Sequence, residues 1–141
     1  MRVAVIGSRT LTVRDLGRYL PEGTTEIISG GARGVDACAR EYALTHSLPL
    51  TEFLPEYEKY GRSAPLKRNL AIIARADLVL AFWDGRSRGT KFVIDNCRRR
   101  GRARKNFRPC RRIAPGGGTF PRSAASNQGG EIPPRLKIFF R

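Results

Sequence analysis

The residues able to do chemistry in this chain gather in four short segments. They are Gly7-Ser8-Arg9-Thr10, Ser29-Gly30-Gly31-Ala32-Arg33-Gly34-Val35-Asp36, a stretch from Pro55 to Asn69 that ends in Lys67-Arg68-Asn69, and Asp84 to Thr90. Three glycines in five positions, Gly30, Gly31 and Gly34, let a backbone approach a partner where a Cβ would clash. A helix that starts right after them turns its free amides and the positive end of its dipole toward the same turn, which makes a seat for phosphate or another anion. Arg9, just past the first strand, is a fork for phosphate or carboxylate. Lys67 and Arg68 fall in a first helical turn, where cations oppose the dipole and a bound anion would account for them. Asn69 is placed to read a base or sugar edge. Asp36 either complements the dipole, orders the glycine turn or holds a ribose hydroxyl. Asp84 is a polar contact at a strand end, and Ser87 and Thr90 either cap the last helix or, with Gly89, meet a ligand. Gly7, Ser8, Ser29 and Arg33 complete the expected ligand-binding set.

Several chemistries have no support in the residues. No Gly-x-x-x-x-Gly-Lys-Ser/Thr sequence is present, which excludes a P-loop, and the glycine turn does not follow the first strand as a dinucleotide fingerprint would. Cys38, Cys97 and Cys110 have no metal-ligand spacing, so no metal is expected. His46 is alone, and no catalytic residue is assigned. Tyr57, Tyr60 and Trp83 are able to stack on a base. Core packing suits Trp83 better, and a lid over the mouth suits the two tyrosines.

The elements that must position these segments alternate along the chain. Val3–Ile6 is an apolar, β-branched run typical of a strand covered on both faces. Thr12 reads as the N-cap of a helix with Leu16, Tyr19 and Leu20 on its apolar face, stopped by Pro21. Strands are expected over Glu26–Ser29, Leu50–Leu54 and Asp77–Trp83. Helices are expected from about Val35 to His46, from Pro65 with a Leu66, Leu70, Ile73 stripe, and from about Thr90 to Arg100. This pattern predicts an open α/β fold, a mostly parallel sheet with helices on both faces. Ligands of such sheets bind beyond the carboxyl ends of the strands, where strand order reverses, and all four segments lie at that edge.

Charge divides the chain differently. The net +15 is concentrated at the end, since residues 1–97 net only +3 and residues 98–141 net +12. Residues 1–101 read as one folded domain. Residues 102–141 read as a basic Arg/Pro/Gly/Ser-rich tail, either disordered or the product of a frameshift in a GC-rich gene, and able to bind nucleic acid electrostatically. Leu136–Phe140 is a candidate fifth strand behind two prolines and a long polar spacer. Reduced cysteines, no apolar run of membrane-span length and no signal-peptide core predict a cytoplasmic chain with no membrane contact.

Residues 1–100 resemble the SLOG superfamily, the Rossmann-like group named after the SMF/DprA and LOG proteins, and are similar to its short bacterial YspA/YpsA-related members. The resemblance rests on Val5-Ile6-Gly7-Ser8-Arg9, Ser29–Asp36, Leu66-Lys67-Arg68-Asn69 and Phe82–Thr90. It implies a Rossmann-like sheet of order 3-2-1-4-5 with the last strand directly after the last helix. It also implies a pocket for a nucleotide or nucleotide-derived ligand, and a possible homo-oligomer. Gly89-Thr90 resembles the second phosphate-contacting turn of the LOG phosphoribohydrolases, but Val93 stands where their glutamate belongs. That departure favours binding or sensing over LOG-type hydrolysis. The Ser29–Asp36 turn also resembles that of DprA, which leaves single-stranded DNA as a third kind of ligand.

Overall fold

The computed structural model describes residues 1–100 and the strand Arg135–Phe140. Strands β1 (Arg2–Gly7), β2 (Glu26–Ser29), β3 (Leu50–Glu52) and β4 (Leu78–Trp83) are parallel and lie in the order β3-β2-β1-β4. The register sets Ala4 beside Ile28 on one side and Val79 on the other. The chain adds strands outward from β1 to β3, then returns to place β4 on the opposite side of β1. This is a Rossmann-like open sheet, and strand order reverses between β1 and β4.

A fifth strand, β5 (Arg135–Phe140), pairs antiparallel with β4, Leu78 opposite Phe140 and Trp83 opposite Arg135. The sheet order is thus 3-2-1-4-5, but the last strand comes from the end of the chain and runs against its neighbour. Residues 101–134 and 141, and with them Cys110 and most of the expected basic tail, lie outside the described residues.

Alternation along the strands builds two cores. Val3, Val5, Ile27, Leu78, Leu80 and Phe82 point to one face, where Val35, Ala39 and Ala43 of helix α1 (Val35–Thr45) cover them with Val13, Leu16 and Leu20. Ala4, Ile6, Ile28, Val79 and Ala81 point to the other, beneath helices α3 (Ala64–Arg75) and α4 (Arg88–Arg99). A short helix, α2 (Tyr57–Tyr60), and a 3-10 turn (Gly61–Ser63) lead into α3. Among the described residues no helix is long and apolar enough to cross a membrane.

Two expectations about elements need correction. The helix expected after Thr12 is a single 3-10 turn, Leu16–Arg18, without a side-chain cap. Starting a helix is costly, and here Gly17 sits within contact of the Tyr42 ring in a segment already closed by Pro21. The core claims Leu16 and Leu20 without needing a helix to present them. In α3 the inward face is Ala64, Asn69, Ile72 and Ile73, so of the expected Leu66, Leu70, Ile73 stripe Ile73 is buried while Leu66 and Leu70 are not. Leu66 is 40 % exposed.

Candidate functional site

A cleft of about 610 Å³ opens beyond the carboxyl ends of β1, β2 and β4. It sits at the reversal of strand order. Of the residues expected at the site, Gly7, Arg9, Gly30, Asp36, Arg68, Asn69, Asp84, Ser87, Gly89 and Thr90 line it. Three helix starts contribute: Asp36 from α1, Pro65 and Arg68 from α3, Gly89 and Thr90 from α4. Neither α3 nor α4 has an acidic residue in its first turn.

Arg68 is the best-anchored cation. Its Nη1 donates to the Gly30 carbonyl at 2.6 Å and its Nε to Asn69 Oδ1 at 3.1 Å. Burial pulls this guanidinium below the usual arginine range; the Arg9 charge adds to that, and Asp36 and Tyr57 oppose it. The anchoring explains the buried Asn69, whose position on an inward helix face costs less because its carbonyl accepts from Arg68.

Asp36 is 4 % exposed, and its Oδ2 accepts from the Ala32 amide at 3.3 Å. Its Oδ1 is buried with no hydrogen-bond partner. Burial raises its pKa, while the Ala32 amide, Arg68 and the nearby Gly7 and Gly30 amides act to lower it. Asp84 is the opposite case. Its Oδ1 accepts from the amides of Arg86 and Ser87, both at 2.8 Å, and its Oδ2 from Thr10 Oγ1 at 2.8 Å. Those amides, the hydroxyl of Thr10 and that of Ser8 hold its carboxyl down at about 2. Asp84 therefore builds the β4–α4 turn and fastens it to the end of β1.

The glycines serve a different purpose from the one their spacing implies. A Cβ on Gly30 would lie 2.7 Å from Arg68 Nη1 and 2.8 Å from Asp36 Oδ2. Gly34 has φ +73°, and a Cβ there would lie 2.6 Å from the carbonyl oxygens of both Ser8 and Arg9. These glycines let protein approach protein. The turn can then pack on the β1 loop and leave room for the Arg68 side chain.

Ser8, Ser29, Gly31, Arg33, Gly34 and Lys67 do not line the cleft. Ser8 Oγ accepts from the Asp84 amide at 3.1 Å, and Ser29 Oγ accepts from the Gly31 amide at 3.3 Å; both are buried supports. Lys67 is exposed, its Nζ 5.9 Å from the Tyr60 ring centre. Gly31, Arg33 and Gly34 line a separate, smaller depression. Ser87 caps α4, its Oγ accepting from the Thr90 amide at 3.4 Å. Trp83 packs on the core and donates from Nε1 to the Ser87 carbonyl at 3.0 Å. Tyr57 and Tyr60 are exposed on α2 and outside the cleft lining, and His46 stacks on Tyr42 with ring centres 3.9 Å apart. Val93 is fully buried in the core, so the position that departs from the LOG pattern faces away from the cleft.

Thr10, Ala32, Arg62, Pro65, Leu66 and Arg86 stand within the marked segments without being expected ligand contacts, and they too line the cleft, with Ile6 and Ile72 as its apolar floor. Arg62 and Arg86 stand inside segments already marked by their place at strand ends. A count of cations within those loops, rather than a motif, would have found them. No family model, curated protein or solved structure matches this chain. Among the described residues no group of three or more His, Cys, Asp or Glu side chains is placed to hold a metal ion.

Proposed function

We propose that this chain binds a nucleotide or nucleotide-derived small molecule in the cleft, as a binding or sensing module. One observation carries the reading. Four arginines, Arg9, Arg62, Arg68 and Arg86, line one cleft with only two carboxylates, Asp36 and Asp84. Of these arginines Asp36 offsets only Arg68, and Asp84 already accepts three hydrogen bonds, so Arg9, Arg62 and Arg86 remain in excess. A compact anion cancels that excess, helped by the positive dipole ends of α3 and α4, neither of which has an acidic residue in its first turn. The volume of about 610 Å³ is in the range of small-molecule sites. Ile6, Ile72 and Leu66 add an apolar wall against which a base or sugar can lie. The SLOG resemblance points the same way. The glutamate of the LOG pattern is absent at Val93, and the two carboxylates that line the cleft are buried (Asp36) or already accept three hydrogen bonds (Asp84), which favours binding over phosphoribohydrolase chemistry. We also place the chain in a reducing, cytoplasmic setting, as its odd cysteine count without metal-ligand spacing suggests.

The test is a thermal-shift series on the full chain with mononucleotides, dinucleotides, ADP-ribose and nucleotide second messengers. A ligand at a hundredfold excess over its Kd stabilises the native state by ~2.7 kcal/mol and raises the melting temperature. Arg68→Ala, checked for cooperative melting on its own, is expected to lose that shift. A cooperatively melting wild-type protein that no nucleotide stabilises would bring the reading down.

A further inference from the structure

The cleft does not use all the cationic surface at this edge of the sheet. A second depression of about 380 Å³ is lined by Arg9, Gly31, Ala32, Arg33, Gly34, Ala37 and Arg40, with no carboxylate in its wall. Arg40 is already paired, its Nε 2.8 Å from Glu52 Oε1. Arg9 and Arg33 are exposed and make no ion pair among the described residues. Arg9 and Ala32 line both cavities, so the two are neighbours along the glycine turn. Gly30 opens on the cleft and Arg33 on the depression. Only Gly31 and Ala32 lie between them, so their backbones stand at most about 11 Å apart.

On the reading that the cleft takes a nucleotide, we propose that the ligand carries two separated phosphoryl groups. One lies in the cleft against Arg68, the second in the depression against Arg33, and Arg9 stands between them. A monophosphate in the cleft leaves Arg33 with nothing to bind. A diphosphate puts its added charge beside the first phosphate rather than across the turn. Two phosphates with a nucleoside between them can stand on either side of the turn and engage both Arg9 and Arg33, whose guanidiniums are suited to forked contacts with phosphate oxygens.

Calorimetric titration of the full chain at one fixed salt concentration tests this with three probes: adenosine 5′-monophosphate, adenosine 5′-diphosphate and the 5′-phosphorylated adenylyl dinucleotide. The dinucleotide is expected to bind at least tenfold tighter than the monophosphate, and the diphosphate to gain clearly less. Arg33→Ala is expected to remove most of the dinucleotide's advantage. Lys67→Ala, which deletes an exposed cation lining neither cavity, is expected to keep it. Equal affinity for dinucleotide and monophosphate overturns the proposal, as does a diphosphate that matches the dinucleotide. Equal losses in Arg33→Ala and Lys67→Ala also overturn it, because they would mean diffuse charge attraction. In each of those outcomes the nucleotide reading of the cleft stands. If none of the three probes binds, both fall together.

Discussion

At the scale of single residues, Asp36 sets the character of the site more than any glycine does. Its carboxyl is buried between the Ala32 amide and Arg68, with Oδ1 unpartnered, and burial raises its pKa. The native state therefore holds this proton more tightly than the unfolded chain, whose aspartates titrate near pH ~4. As pH rises from there, the unfolded chain releases the proton first, so stability falls until the raised native value is passed. Asp77 and Asp84, both held at about 2, act in the opposite sense and cost stability as pH falls below the ordinary carboxylate range. Asp36→Asn removes only the first effect. Urea unfolding between pH 4 and 8 should show the variant gaining on wild type as pH rises and then levelling off. A difference that does not change with pH would mean Asp36 is not desolvated as described. The place of the cleft was legible in sequence because glycines, arginines and an acid in a strand-to-helix turn are unusual together. Their roles were less so. Gly30 and Gly34 are defined by Arg68, Ser8 and Arg9, residues far from or outside the turn, and local spacing carries no information about them.

At the scale of elements, the strands were plain because β-branched and apolar runs buried on both faces leave little choice. The three long helices were plain in place, unlike the one expected after Thr12, and α3 was not plain in face. Its inward residues are Ala64, Asn69, Ile72 and Ile73, and a buried asparagine breaks the apolar spacing that marks a core stripe. Leu66 then offers a false stripe, although it is turned to the mouth of the cleft. Asn69 belongs inside only because Arg68 donates to its carbonyl, a pairing made possible by the Gly30 carbonyl across the cleft. Two substitutions separate the alternatives. Ile72→Ala, at a fully buried position, should cost about 2–5 kcal/mol in urea unfolding. Leu66→Ser should stay within about 0.5 kcal/mol, as exposed positions do. The reverse ranking would return Leu66 to the core.

At the scale of the molecule, the parallel order 3-2-1-4 places β1 at the centre and the cleft at its end. The outer side of β4 is where sequence reasoning looked for a parallel strand directly after α4 and found none. The structure closes that side with β5, which pairs with β4 along its whole length from Leu78 to Trp83. An antiparallel edge strand on an otherwise parallel sheet is common, and it needs no right-handed crossover. It could not be foreseen from alternation alone, because its segment is far along the chain from α4. The consequence is physical. Without residues 102–141, β4 would present its row of unpaired amides and carbonyls at an open edge next to the site's own Asp84–Thr90 turn. The 1–101 chain is therefore expected to melt at least about 5 °C below the full chain, the equivalent of roughly 1 kcal/mol for a domain of this size. It should also self-associate with rising concentration in sedimentation. If the shortened chain instead melts with the full one and sediments as it does, β5 adds nothing to the sheet, and the domain is complete with β4 as its edge.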